Sequence, residues 1–75
     1  MKMRNLQSVL LRKKDFTLAE AHKFIKAKGF RDSFYGKPVE ITPTLYRFRQ
    51  QAPHLWSNYY MHHGSDNGVM YVIGI

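Results

Sequence analysis

Between Leu45 and Gln51 the chain reads Leu-Tyr-Arg-Phe-Arg-Gln-Gln, and no other stretch restricts the fold as tightly. In extended backbone successive side chains point to opposite faces, so Tyr46 and Phe48 share one side while Leu45, Arg47 and Arg49 share the other. A strand with one aromatic and one basic face belongs in a sheet that is covered on the first and open on the second. The rest of the chain must supply the cover and the neighbouring strands.

The cover is predicted between Thr17 and Gly29. Thr17-Leu18-Ala19-Glu20 has the form of a capping box, in which the Thr17 hydroxyl accepts from the Glu20 N–H and the Glu20 carboxylate reaches back to the Thr17 N–H. Ala19, Ala21 and Ala27 favour helix, and Leu18, Ala21, Phe24 and Ile25 fall along one stripe at helical spacing. Gly29 stands where a left-handed cap is wanted, with Phe30 next to it in reach of Ile25. A helix is expected over 18–28, its stripe toward the sheet. Lys23, Lys26 and Lys28 lie late in it, where cations complement the helix dipole, and His22 reads as a surface residue.

The strands are expected on either side of that helix. Asn5 to Arg12 carries a Val-Leu-Leu run and reads as a buried strand ending at Arg12-Lys13-Lys14-Asp15. Arg31 to Glu40 contains Gly36 and Pro38 and reads as a connection, with Phe34 and Tyr35 either pinning it to the core or forming an exposed stacking surface. Pro43 cannot donate to a ladder, so the second strand is expected from Thr44, with Leu45 to Gln51 as its body and Pro53 as its stop. Leu55 and Trp56 are placed at one end of the core. Tyr59 to His63, then Gly64 to Gly68, then Val69 to Ile75 reads as a hairpin. Its last strand is apolar on both faces and suits either the middle of a sheet or an edge that pairs with another chain. The expectation is a single α+β domain over residues 1–75, with a small antiparallel sheet of about four strands, one helix packed on one face, and the order β-α-β-β-β.

Seventy-five residues without a cysteine must be held by packing alone, because neither a disulfide frame nor a thiolate zinc site is available. Hydrophobic content of 44% and aromatic content of 15% are enough for that and argue against disorder. The net charge of +7 favours a polyanionic partner. Its distribution is lopsided: Lys2, Arg4, Arg12, Lys13, Lys14, Lys23, Lys26, Lys28 and Arg31 crowd the first part, and nothing after Arg49 is Lys or Arg. No apolar run approaches the roughly 20 residues that span a bilayer, and the N-terminus lacks a signal-peptide core, so a soluble, non-secreted protein with no membrane partner is expected.

Four features carry a resemblance: the apolar strand Ser8-Val9-Leu10-Leu11; the helix with its glycine stop, Ala19 to Phe30; the Tyr46-Arg47-Phe48-Arg49-Gln50 core followed by Pro53; and the closing Gly68-Val69 to Ile73-Gly74. In these the chain resembles a small domain that recurs in tailed double-stranded DNA phages and large nucleocytoplasmic DNA viruses. The match spans most of the chain, and the long aromatic stretch before Gly64 departs from the pattern. The resemblance implies a viral setting, in the host cytoplasm or the virion, and no particular chemistry.

Catalysis is not expected, since none of the five acids is paired in a recognisable motif and the serines lack a nucleophile-elbow context. His62 and His63 are adjacent in a strand and point to opposite faces, so even with His54 as a third ligand they do not converge on one ion. No cofactor or metal is expected. The candidate contacts are Arg47 and Arg49, about 7 Å apart along one strand face, where they suit successive phosphates or a row of acidic side chains. Arg12, Lys13 and Lys14 are added as a second basic cluster, with Tyr59, Tyr60 or Tyr71 as stacking groups beside the arginines, Tyr60 foremost. The plainer account has Arg12-Lys13-Lys14 as a solvated strand end, and the arginines packing over Leu45 or pairing with Glu40, Asp32 or Asp66. Two functional classes follow. One is a nucleic-acid-binding module for DNA or RNA. The other is a protein-binding module, a virion component or an inhibitor of a host nucleic-acid-handling complex, that docks its basic face on an acidic surface or forms a homo-oligomer through its last strand.

Overall fold

Five strands and one helix follow in the order β1 (Leu6–Arg12), α1 (Leu18–Ala27), β2 (Glu40–Ile41), β3 (Leu45–Arg49), β4 (Tyr59–His63) and β5 (Val69–Gly74) in the computed structural model, which describes residues 5–33, 36–52, 56–64 and 66–75. The fold is α+β. All strand pairs are antiparallel, and the sheet order is β2-β3-β1-β5-β4. The fifth strand, not anticipated from the sequence, is β2. It is only two residues long, pairs Glu40 with Arg47 and Ile41 with Tyr46, and has no length in which a periodicity could show. Pro43 sits in the tight turn that follows it, where Thr42 Oγ1 accepts from the Leu45 N–H at 2.9 Å and closes the hairpin.

β1 lies in the middle of the sheet and is buried on both faces, which explains its unbroken Val-Leu-Leu run. Val9 pairs with Phe48 on one side and Tyr71 on the other, and Leu11 pairs with Tyr46 and Val69, so these six side chains share the helix-covered face. Ser8 and Leu10 face the other way. A bulge between Leu6 and Ser8 absorbs Gln7 and lets Leu6 join the helix side opposite Ile73. The core is thus Leu6, Val9, Leu11, Phe48, Val69 and Tyr71 from the sheet with Ala21 and Ile25 from the helix.

The helix is bounded as its sequence requires. Thr17 Oγ1 accepts from Glu20 N at 3.2 Å and Glu20 Oε1 accepts from Thr17 N at 2.8 Å, completing the capping box. At the other end Lys28 is the cap and Gly29 takes φ +77, with Gly29 N–H donating to Lys26 C=O and Phe30 N–H to Ile25 C=O. That paired pattern is a Schellman stop. Ala21 and Ile25 are fully buried, whereas Leu18 is 38% exposed, so the stripe buries fewer residues than its spacing suggests. His22 is not a free surface residue: its ring stands edge-on to Phe48, with centroids 5.3 Å apart.

Of the two places the sequence allows the last strand, the interior one holds: β5 is paired to β1 on one side and β4 on the other, so it offers no free edge to a second copy, and among the described strands the edges are β2 and β4. Trp56 does not close the helix-side core. Gly74 belongs to the opposite face, together with Met70 and Val72, and a Cβ at Gly74 would collide with the indole Cδ2 of Trp56. Trp56 therefore lies flat on Gly74 on the uncovered face, edge-on to Tyr59 at 6.1 Å. The roles considered for Phe34, Tyr35, Pro53, His54 and Leu55 fall outside the described residues.

Candidate functional site

Register fixes what stands beside each arginine. Arg49 faces Ser8, Arg47 faces Leu10, and Arg12 faces Leu45 across the β1–β3 ladder. Strand parity puts all three guanidinium stems on the face away from α1. Met70 flanks Leu10 on its far side, and Leu10 is 2% exposed between these neighbours.

The three arginines differ in charge environment. Arg49 Nη2 is 2.9 Å from Glu40 Oε1, held there by the short hairpin that brings β2 against β3. Its Nε is buried and has no hydrogen-bond partner among the described residues. Arg12 Nε is 2.9 Å from Asp15 Oδ2 in the turn that ends β1. Arg47 has no ion pair among the described residues. The pairing account of the arginines thus holds for Arg49 and leaves Arg47 free.

The basic cluster at the end of β1 splits in space. Arg12 shares the arginine face, but Lys13 is of opposite parity and places its Nζ 5.7 Å from the Tyr46 ring centroid, on the helix side. Lys14 stands exposed in the turn. Both flank a groove of about 480 Å³ formed with Pro43, Thr44 and Leu45.

Tyr60 is not beside the arginines. It pairs with Ile73, so it faces the helix side, and β4 lies three strand spacings from β3, roughly 14 Å. Tyr71 is buried, its hydroxyl pushed above the ordinary tyrosine range by burial and, secondarily, by the Asp66 charge. Tyr59 is on the arginine face but at the far edge, beside Trp56. Among the described residues no tyrosine stacks next to Arg47. His62 and His63 face opposite sides of β4, and among the described residues no three His, Asp or Glu side chains are placed to hold a metal.

Two features escaped the sequence reading. Lys37, between a glycine and a proline in the connection, lines a cleft of about 440 Å³ with Ser33, Pro38, Val39, Glu40, Arg47 and Arg49. Its signal was a lone cation at a turn followed three residues later by the acid that fixes Arg49. The other is an amide network. Gln50 Oε1 accepts from Arg31 N at 2.8 Å and Gln50 Nε2 donates to Arg31 C=O at 2.8 Å, tying the connection after α1 to the end of β3. Gln50 has the inward parity of Tyr46 and Phe48, which marks it as buried.

The acids are all occupied. Asp15 pairs with Arg12, Glu20 serves the capping box, Asp32 is 3.8 Å from Lys26 Nζ, Glu40 pairs with Arg49, and Asp66 is 4.0 Å from Lys28 Nζ. Against five acids the chain has twelve Lys and Arg. Lys13, Lys14, Lys23, Arg31, Lys37 and Arg47 have no acidic partner among the described residues. No described helix is long and apolar enough to cross a membrane. Compared with known proteins, the chain matches no family model, no curated protein and no solved structure.

Proposed function

We propose that this protein is a non-enzymatic nucleic-acid-binding module that meets phosphates with Arg47, Arg49, Arg12 and Lys14 along one face and one end of its sheet. The observation that carries this reading is that every Asp and Glu side chain already has a partner inside the fold, while Arg47, Lys14 and Lys37 have no acidic partner among the described residues. A surplus of unpaired cations on a rigid sheet attracts a polyanion and gives binding that weakens steeply with salt. The viral or phage setting, and with it host cytoplasm or virion, rests on the four-part resemblance alone, its Tyr-Arg-Phe-Arg-Gln core foremost. The test is fluorescence anisotropy with single-stranded DNA, duplex DNA and RNA across a salt series. Absence of salt-sensitive binding to all three at micromolar protein would sink the reading.

A second reading, a protein-binding module, is favoured by β4. All five of its residues are exposed, none is Asp, Glu, Lys or Arg, and its outer edge is unpaired among the described residues. Native edges are ordinarily blunted by charge, so a bare edge with Tyr60 and Met61 about half exposed suits addition of a partner's strand. A protein that sediments as a monomer at high concentration and recovers no partner from host lysate would count against it.

A further inference from the structure

We propose that the cleft between residues 36–40 and the outer edge of β3 is a receptor for a terminal phosphate carried on a nucleotide unit, either the phosphorylated end of a strand or a free mononucleotide. The choice of a nucleotide as the carrier rests on the nucleic-acid reading above. Among the described residues β2 pairs only with Tyr46 and Arg47, and the cleft opens where residues 37–39 run on beside Arg47, Phe48 and Arg49. The space in this open cleft, about 440 Å³, falls in the range of roughly 300–1,000 Å³ usual for small-molecule sites.

Its donors stand on both walls. Arg47 on β3 and Lys37 opposite it are free of acidic partners, and the exposed Ser33 adds a hydroxyl. Arg49 contributes the most specific signal. Its Nη2 is committed to Glu40, but its Nε–H is buried and unmatched, and a buried donor without an acceptor is rare in a native fold. Closed to solvent as it stands, that N–H gains an acceptor from an anion in the cleft only when the guanidinium turns toward it. The two acids on the rim are offset, Glu40 by Arg49 and Asp32 by Lys26, so an entering phosphate meets net positive charge. Pro38 and Val39 give an apolar wall for the carrier.

A terminal phosphate fits better than an internal one. A phosphomonoester presents three non-bridging oxygens and close to two charges near neutral pH, which suits donors arriving from opposing walls. A phosphodiester presents two such oxygens, carries one charge and must run chain out on both sides, which suits the open arginine face.

The test compares a short single-stranded oligonucleotide ending in a 5′-phosphate with the same strand ending in a 5′-hydroxyl, labelled at the other end, at constant ionic strength. A nucleoside monophosphate and inorganic phosphate serve as competitors. The phosphorylated strand is expected to bind at least tenfold tighter, and Lys37→Ala to remove that difference, weakening the phosphorylated strand far more than the hydroxyl strand. Lys37 is exposed, so this variant is expected to keep the wild-type melting temperature. If strand ends show no difference but the monophosphate binds wild type and not Lys37→Ala, the receptor stands with a free nucleotide as its ligand. Equal affinity for both strands and no monophosphate binding overturns the proposal. In that event salt-sensitive binding of the hydroxyl strand keeps the general nucleic-acid reading, and its absence removes that reading as well.

Discussion

Replacing Gly74 by alanine tests the placement of Trp56 on the uncovered sheet face. A Cβ at that position would overlap the indole Cδ2 and Cγ and lie 2.5 Å from Cε3, well inside van der Waals contact with a rigid ring. The strand cannot easily yield, because Gly74 N–H donates to Asn5 C=O at 2.8 Å and Asn5 Nδ2 donates back to Gly74 C=O at 3.2 Å. The indole must therefore leave. A tryptophan buries about 150–250 Å². If roughly 100–150 Å² of apolar contact is lost, the cost at about 25 cal/mol per Å² is about 2.5–4 kcal/mol. Gly74 does not have positive φ, so alanine recovers roughly 0.5–1 kcal/mol of strand preference there. The net expectation is a loss of about 2–3 kcal/mol. Trp56 is the sole tryptophan, so its emission reports the displacement directly: a red shift and stronger acrylamide quenching in buffer, with an earlier urea midpoint. Unchanged emission together with a stability change under about 0.5 kcal/mol would show that the ring does not rest on Gly74.

Three further outcomes are expected. Phe48→Ala removes a ring that is 1% exposed, paired across the ladder with Val9 and edge-on to His22, and should cost about 3–5 kcal/mol in urea denaturation; a loss under about 1 kcal/mol contradicts its place between β3 and α1. Gln50→Leu strips both hydrogen bonds from the Arg31 backbone and should cost about 1–3 kcal/mol, with faster amide exchange at Arg31 as the local signature. Tyr71 is held neutral in the fold, so its pKa lies above that of the unfolded chain, near 10.0, and the stability it contributes is intact below that pH and is lost as pH rises toward its folded value. Thermal melts at increasing pH should show this decline in wild type and a weaker one in Tyr71→Phe.

Local signals were legible where they act within a few residues. The capping box at Thr17, the left-handed stop at Gly29 and the Tyr59–His63/Val69–Gly74 hairpin all appear as the sequence implies. The two faces of β3 were legible too, because Tyr46 and Phe48 alternate with arginines and the helix stripe settles which side is covered. What the sequence hid depends on register and distant partners. Tyr60 was placed with the arginines, but Tyr59 to His63 has no apolar alternation of its own, and only its pairing with β5 decides which way each residue points. Glu40 and Arg49 meet because a two-residue strand folds back, and two residues carry no period. His22 looked solvated since its spacing says nothing of how closely Phe48 rises beneath it. Trp56 was placed at one end of the core, whereas the glycine that receives it lies eighteen residues later on the other face.

Whether the arginine face meets phosphates is read from the slope of binding against salt. Binding constants for duplex DNA are measured by anisotropy over a range of salt for wild type and for the Arg47→Ala/Arg49→Ala double variant. Each phosphate neutralised contributes about 0.9 to the slope of log K against log salt, so losing two contacts should make the double variant shallower by nearly two and weaker at low salt. A double variant that is folded, as its melting shows, and binds with the same slope and affinity as wild type would contradict the assignment of Arg47 and Arg49 to phosphate contact.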